Sequence, residues 1–523
     1  MFQPVFIAVP LIPFKTIQLA EPALHSRNVY RSNIHDKDFF PTKSRLVLQR
    51  ATVGKSLRPA IVPDVKVPFQ SLFAACALLF CAGCSTVGRE LAYDNTVQVA
   101  KRPLSGTAEF GWRVKTFWTE ETASVWRKCI SFPLLSLRDI PEVKAVPVPM
   151  KRSVMSKWLR RKTGPPAEGT ARLMLNGENF FPQFEESIRT ATNRIDLKTY
   201  IFDNDDVAKQ TADLLKARSH DVDIRILYDS FGTRFAWGTD APSLPTNYVY
   251  EVDDMIRHLG KDSGLELRRA CHTMLTSEHS KYILIDRRIA YFGGMNIGRE
   301  YRYDWRDAMF ELSGPVIDAL EANFERSWIL ASGDTFTLFK LPKPHLPDYT
   351  GTSELYLTPT TPMKAYLYRG QLRAIEHAKQ HIYLENPYLW NSSIVYQLCA
   401  ARKRGVDVRV TIPRDINHDI GIAANKQTVK RLLDNGVRVF VYPGMTHVKA
   451  AIYDQWACFG SANFDDLSLH KNYELNIFTD NSEVVGEIKE YLLEGGQKLS
   501  TEIHDAGEIS WMDTFTAHAA QYL

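Results

Sequence analysis

The chain has 523 residues, and 64 Lys and Arg against 60 Asp and Glu leave a net charge of +4. A composition of 45% hydrophobic, 24% charged and 11% aromatic residues excludes a disordered, collagen-like or polytopic membrane protein, but leaves room for one membrane segment. Length sets a prior of about three or four domains. So small a charge lacks the concentrated basic face of a dedicated nucleic-acid binder.

Residues 1–66 show no sustained hydrophobic period and no domain pattern. Residues 67–84 are uncharged, with Lys55, Arg58 and Lys66 upstream. The apolar core, Leu72 to Gly83, is shorter than the roughly 20 residues a spanning helix needs, and it fits a secretory h-region. It ends Cys81-Ala82-Gly83-Cys84-Ser85. Small residues before a cysteine resemble the lipobox of bacterial lipoproteins, which makes Cys84 a candidate lipidation site, with Cys81 standing where Leu is usual. A buried helix or an uncleaved anchor is the competing reading. Cys81 and Cys84 also have the spacing of a metal or redox pair, but no second pair accompanies them, so no metal site is expected. Because a signal belongs at the start of a chain, residues 1–64 are expected to be an upstream extension. The protein is then expected to be exported and lipid-anchored in a bacterium, or else held by a single N-terminal anchor.

Residues 85–170 read as a linker and membrane-proximal region. Trp112, Trp118 and Trp126 fall on one amphipathic run. Lys151, Arg152, Lys157, Arg160, Arg161 and Lys162 then surround Trp158 and Leu159. Basic residues mixed with Trp suit an anionic lipid surface. A solvated charged linker explains them equally well.

Two α/β halves follow, 171–335 and 366–505, with a tail over 506–523. Helix-like Phe184–Asn193 precedes the strand-like Arg194–Leu197 and Asp221–Ile226. Helix-like Arg369–Lys379 precedes His381–Leu384 and Gly405–Val410. Alternating helices and strands predict mainly parallel or mixed sheets. Between the halves, Pro342, Pro344, Pro347, Pro359 and Pro362 predict a linker or crossover over 336–365.

The halves repeat one motif. The first reads His279-Ser280-Lys281, Asp286, then Gly293-Gly294-Met295-Asn296; the second reads His447-Val448-Lys449, Asp454, then Gly460-Ser461-Ala462-Asn463. Five such matched positions arise by chance with a probability of about 3 × 10⁻⁷ per start. His and Lys two apart on a strand share a face, whereas an odd offset of seven turns Asp286 and Asp454 away, so both are expected to be structural. Gly294 and Ser461 are small enough for an anion to approach the backbone, and Asn296 and Asn463 can donate amide hydrogens to it.

Pairing the halves would gather two His, two Lys and two Asn around one pocket. Two ammonium groups suit a phosphate, without need of a metal or other cofactor. Two imidazoles suit covalent acid–base chemistry, one attacking phosphorus and the other serving the leaving and entering hydroxyls. Each His also needs an orienting carboxylate. Asp307 and Glu474, 28 and 27 residues after the His of their own copies, are the candidates. Glu385 is a candidate pocket residue.

These motifs resemble the two HKD motifs of the phospholipase D superfamily, and bacterial cardiolipin synthases more than the nucleases. Leu197-Lys198-Thr199-Tyr200-Ile201-Phe202, Gly293 to Gly298, Trp305-Arg306-Asp307, Gly460 to Asp465 and Tyr473 to Asn476 carry the likeness. It covers about residues 171–500. It implies a two-lobed α/β sandwich, each lobe a mixed sheet flanked by helices, with the active site between the lobes. It also implies His279 as nucleophile and His447 as acid. One departure is the single short apolar segment, where the longest-known cardiolipin synthases carry two N-terminal spanning helices. Another is the insert Phe231–Gly264, with Trp237, Tyr248 and Tyr250, a candidate lid or acyl-binding edge.

The expected reaction is phosphatidyl transfer between two phosphatidylglycerols, giving cardiolipin. Hydrolysis as in phospholipase D is the alternative, followed by a nuclease and by an inactive tethered binding protein. The expected partners are a phospholipid substrate and a membrane surface, without nucleic acid. One chain holds both motifs, so an oligomer is not required.

Overall fold

The computed structural model describes residues 150–270, 276–332, 353–362, 364–417, 419–511, 513, 514 and 517. The apolar segment, Cys84 and the Trp112 to Trp126 run lie outside them.

Helix α1 (Arg152–Thr163) comes first. Met155, Trp158 and Leu159, spaced i, i+3, i+4, form its apolar stripe and are buried in the core of the second lobe. Arg152 pairs with Asp480, and Arg160 with Glu354. The Trp-and-basic cluster, read as a lipid surface or a solvated linker, is therefore split by helical periodicity, with Trp158 packed inside the protein.

Strand β1 (Ala167–Glu168) crosses to the second lobe. The first lobe then builds a seven-stranded sheet from β2 (Thr170–Leu175), β3 (Arg194–Thr199), β4 (Asp223–Asp229), β5 (Glu266–Ala270), β6 (Lys281–Ile285), β7 (Ile289–Gly293) and β8 (Ala308–Ser313). Its order is β2-β8-β7-β6-β3-β4-β5. Strands β3, β4 and β5 run parallel, and β6, β7 and β8 antiparallel. Helices α2 (Gly177–Thr190) and α3 (Asp206–Arg218) cover one face, α2 through Phe180, Phe181, Phe184 and Ile188.

The second lobe repeats this plan with β9 (Glu354–Thr361), β10 (Lys364–Ala365), β11 (His381–Glu385), β12 (Asp407–Pro413), β13 (Arg438–Tyr442), β14 (Ala450–Tyr453), β15 (Trp456–Gly460), β16 (Glu474–Thr479) and β17 (Thr501–Ile503). The order β1-β9-β16-β15-β14-β11-β12-β13-β17 matches the first sheet strand for strand from β9 to β13. The end of the expected Pro-rich linker is thus strand β9, paired along its length with β16. Pro359 is tolerated because β1 covers only the first two residues of β9, leaving the strand an edge there, where a missing N–H breaks no ladder.

The two sheets pack face to face. Phe292 and Phe310 of the first meet Phe459 of the second, with Phe310 and Phe459 ring centroids 3.9 Å apart. Helices close the outer faces, giving a two-lobed sandwich of mixed sheets. This packing brings the segments leading into β6 and β14 to one seam.

Candidate active site

His279 lies just before β6 and His447 just before β14. Both lead-ins bridge to the opposite lobe. His279 N–H donates to Tyr473 O (2.9 Å), and Tyr473 N–H to Ser277 O (2.9 Å). His447 N–H donates to Arg306 O (2.7 Å), and Arg306 N–H to Met445 O (3.0 Å). Each histidine is thereby fixed beside the residue that precedes a carboxylate of the other half.

The carboxylates are exchanged between copies. Asp307 Oδ2 shares a 2.7 Å hydrogen bond with Nδ1 of His447, not with His279. Glu474 Oε1 stands 2.8 Å from Nδ1 of His279. That second contact has hydrogen-bond length, and Glu474 works against burial to hold the His279 imidazole up. The offsets of 28 and 27 residues pointed within each copy; the seam between the sheets reverses the pairing.

Both sites are nearly dry, with His279 8% and His447 5% exposed. Tyr200 packs edge-on against the His279 ring at 4.7 Å, and Trp305 lies 5.2 Å and Tyr301 5.6 Å from the His447 ring. Burial, the largest influence, pulls both imidazoles below their ordinary range. Burial also pushes Asp307 up to about 7, against the pull of Lys449. Burial thus opposes charge on both members of the Asp307–His447 pair.

Lys281 and Lys449 curl back so that each Nζ donates to the carbonyl of its own histidine, at 2.5 Å in both lobes. Burial lowers Lys281 to about 7 and Lys449 to about 8. The charge of Lys449 pushes Lys281 further down, and Glu474 opposes the fall.

The small residues serve the carboxylates. A Cβ on Gly294 would lie 2.6 Å from Asp307 Oδ1, so only glycine lets that carboxylate pass. At the matching position Ser461 Oγ donates to Glu474 Oε2 at 2.6 Å. Neither shows the open backbone approach expected for an anion. Asn296 turns its oxygen to Ile201 N–H (3.0 Å) and its amide to Tyr301. Asn463 Oδ1 is buried without a hydrogen-bond partner.

The motif aspartates lie at the far ends of their strands. Asp286 accepts the N–H groups of Thr192, Asn193 and Arg194 at 2.8, 2.8 and 2.9 Å. Asp454 accepts those of Met150, Lys379, Gln380 and His381. Both residues adopt a positive φ of 53° in the hairpin turn. They tie the turn to the start of the neighbouring strand and touch neither histidine.

A family described as "Cardiolipin synthase, PLD-like domain" matches residues 184–328 and 372–494, just over half of the chain. The chain belongs to this phospholipase D-like family. It is 30% identical over 320 residues to the cardiolipin synthase of Geobacillus sp. (strain WCH70), covering 59% of this chain and 62% of that one. It is 29% identical over 354 residues to cardiolipin synthase A of Pseudomonas fluorescens (strain Pf-5), covering 64% and 70%. The chain thus spans roughly two thirds of these curated relatives. Among solved structures, phosphatidylserine synthase of Haemophilus influenzae shares the fold with a TM-score of 0.54 at 10% identity, over 70% of this chain and 96% of that one.

Within this phospholipase D-like site, two supporting residues had no clear signal in the sequence. Arg306 donates from Nε to Glu385 Oε1 (3.0 Å), and Thr446 Oγ1 donates to the same oxygen (2.5 Å). Glu385, the candidate pocket residue, is fully buried and fixes the residues preceding Asp307 and His447. Its counterpart in the first lobe is Lys198, buried 2.9 Å from Glu278, the residue before His279. The register would have found this: Lys198 faces Tyr282 and Glu385 faces Ala450, at equivalent points of the two sheets.

A separate acidic group, Asp203, Asp205 and Glu300, has carboxylate oxygens within 4.8 Å of one another. Asp205 caps α3 through Ala208 N–H and accepts Arg299 N–H, while Asp203 accepts Asn204 N–H.

Proposed function

We propose that the chain is a phosphatidyltransferase of the cardiolipin synthase type, joining two phosphatidylglycerols into cardiolipin and glycerol. The observation that carries this reading is the exchanged pair of histidine–carboxylate contacts, with both lysines, in one buried seam. The names of its relatives support the same reaction.

Nε2 of His279, neutral and backed by Glu474, attacks phosphorus. The P–O bond to the glycerol headgroup breaks, and the departing oxygen takes its proton from Nε2 of His447. A phosphatidyl–histidine results. The hydroxyl of a second phosphatidylglycerol then gives its proton back to His447 and attacks phosphorus; the P–N bond breaks and cardiolipin leaves. Lys281 and Lys449 hold the charge of the phosphoryl oxygens throughout. The 2.7 Å hydrogen bond between Asp307 and Nδ1 of His447 favours His447 as the acid.

Hydrolysis uses the same residues, with water as acceptor. Tyr200, Tyr301 and Trp305 pack over the imidazoles, and exclusion of water there favours transfer. We place the protein at a bacterial membrane surface, held by the apolar segment or by lipid on Cys84. A nucleic-acid partner is not part of this reading, and one chain supplies a whole site, so an oligomer is not required. The test is lipid product analysis by mass spectrometry with purified protein and phosphatidylglycerol vesicles. Cardiolipin is expected; phosphatidic acid alone would reject transfer in favour of hydrolysis. His279→Ala and His447→Ala should each abolish turnover.

A further inference from the structure

The backbone of His279 has a second anchor besides Tyr473. Along the run into β6, Glu278 and Ser280 flank His279, and alternation puts their side chains on the other face from its imidazole. Glu278 Oε1 accepts Ser280 Oγ–H at 2.8 Å, so one carboxylate joins both neighbours of His279. The same oxygen stands 2.9 Å from Nζ of Lys198, and both side chains are buried.

Lys198 is itself held in place. It lies on β3 opposite Tyr282 of β6. Its Nζ also donates to Ser327 Oγ (2.9 Å) and Asn323 Oδ1 (3.4 Å), one turn apart on helix α4 (Val316–Ser332). Tyr282 O–H donates to the same Asn323 oxygen at 2.7 Å. Three acceptors thus meet the three hydrogens of the ammonium. From the other side, Tyr473 O accepts the N–H groups of His279 and Ser280 at 2.9 and 3.1 Å. Asp229 Oδ2 accepts the N–H of Glu278 at 2.9 Å. The backbone of His279 is therefore pinned between the second lobe and Lys198.

Such a pair is costly to build. Burial pulls Lys198 below its ordinary range, and Glu278 opposes the fall. Apolar side chains of similar volume often serve stability as well as a buried ion pair does. What they cannot do is hold a carboxylate at one angle. The second lobe meets the same need with other groups: Arg306 and Thr446 hold Glu385, and the cation there crosses from the first lobe. Beneath His279 the cation, the acid and the helix all belong to one lobe, so this part of the anchor does not depend on how the lobes pack.

We propose that Lys198 is a positioning residue for the nucleophile: through Glu278 it fixes the backbone on both sides of His279, and so aims Nε2 at phosphorus without touching the substrate. This rests on the proposed role of His279 and adds the group that sets the direction of its ring. Lys198 differs in this from Lys281, which lies on the face of the imidazole and meets the phosphoryl oxygens. Misplacing a reacting group by about 1 Å costs about 10² in rate, and the anchor guards against a shift of that size.

The experiment uses the full chain and a monomeric short-chain phosphatidylglycerol, with the folded fraction measured by thermal unfolding. Lys198→Met/Glu278→Leu removes both charges and strands neither. Its first-turnover release of glycerol should fall about 10²-fold per folded molecule, with KM within about twofold of wild type. The comparison is Asp196→Leu/Arg225→Met, which removes another buried pair, 2.6 Å apart, from the same face of β3. That variant should keep the wild-type rate per folded molecule. Ser280→Ala deletes one tether and no charge, and should slow the same step about fivefold. Wild-type release by Lys198→Met/Glu278→Leu, or by Ser280→Ala where the double variant does not fold, overturns the proposal. An equal loss in Asp196→Leu/Arg225→Met overturns it too, because that marks a packing effect. His279→Ala separates the two readings. No release from it beside full release from the double variant removes the positioning role alone, whereas wild-type release from His279→Ala removes the nucleophile itself.

Discussion

Asp307 of the first lobe is hydrogen-bonded to His447 of the second at 2.7 Å, so on the proposed reading neither half of the repeat holds a working acid alone. In the proposed reaction, the imidazole that protonates the leaving group is held by a carboxylate from the other lobe. Asn at this position keeps the size but cannot share a proton, and it can force the imidazole into the wrong tautomer. Asp307→Asn should therefore cut turnover by about 10³ or more with little change in thermal stability. Single-turnover release of glycerol measures it; a loss under about tenfold would show that Asp307 is dispensable to the acid.

On the proposed reading, the lysines make phosphate binding pH-dependent. Burial holds Lys281 at about 7 and Lys449 at about 8, both below their ordinary range. Both are charged at lower pH and lose that charge as pH rises through these values. An anionic diester needs the charged forms, so its affinity is greatest below the lower value and falls above it. Dimethyl phosphate, whose own charge is constant here, should bind at least about tenfold more weakly near pH 9 than near pH 6.5. Calorimetric titration across this range checks it, and a flat profile would count against a paired-lysine phosphate site.

Much of this arrangement was legible in the sequence because it is local. The repeated offsets of His279 and Lys281, and of His447 and Lys449, reflect two identical strand lead-ins. The odd spacing to Asp286 and Asp454 turned them away from the histidines, and both bind backbone N–H groups instead. The exchange of Asp307 and Glu474 was not legible, because it depends on how two sheets pack, not on spacing within either. Glu385 and Trp158 were misplaced for a related reason. Each looks like a surface or pocket residue until Arg306 arrives from the other lobe, or until α1 turns its stripe onto the second core.

The Arg306–Glu385 pair crosses the seam fully buried, 2% and 0% exposed at the side chains. Arg306 also donates to Leu492 O at 2.6 Å. Removing one partner strands a buried charge. Glu385→Leu alone should cost about 3–5 kcal/mol of stability. Arg306→Met/Glu385→Leu removes both charges and should recover most of the loss, since a buried pair replaced by apolar groups is often nearly neutral. Turnover should stay low in the double variant, because the strand that presents Asp307 has lost its anchor. Thermal unfolding and turnover measured together separate the two effects; full recovery of both would reduce the pair to a packing element.

Gly294 tests whether the carboxylate must stand where it does. A methyl group there would lie 2.6 Å from Asp307 Oδ1 and 3.0 Å from Oδ2, well inside contact distance. Its φ is not in the left-handed region, so alanine suits the backbone and the conflict is with the carboxylate alone. Gly294→Ala should push Asp307 off His447 and lower turnover by about 10² while the chain stays folded. The matching change in the second lobe acts differently. Ser461→Ala adds no bulk but deprives Glu474 Oε2 of its 2.6 Å hydrogen bond, which should cost about 1–3 kcal/mol of stability. Calorimetric unfolding and turnover on both variants give the comparison. If Gly294→Ala kept full activity, the Asp307 position would be set by something other than this passage.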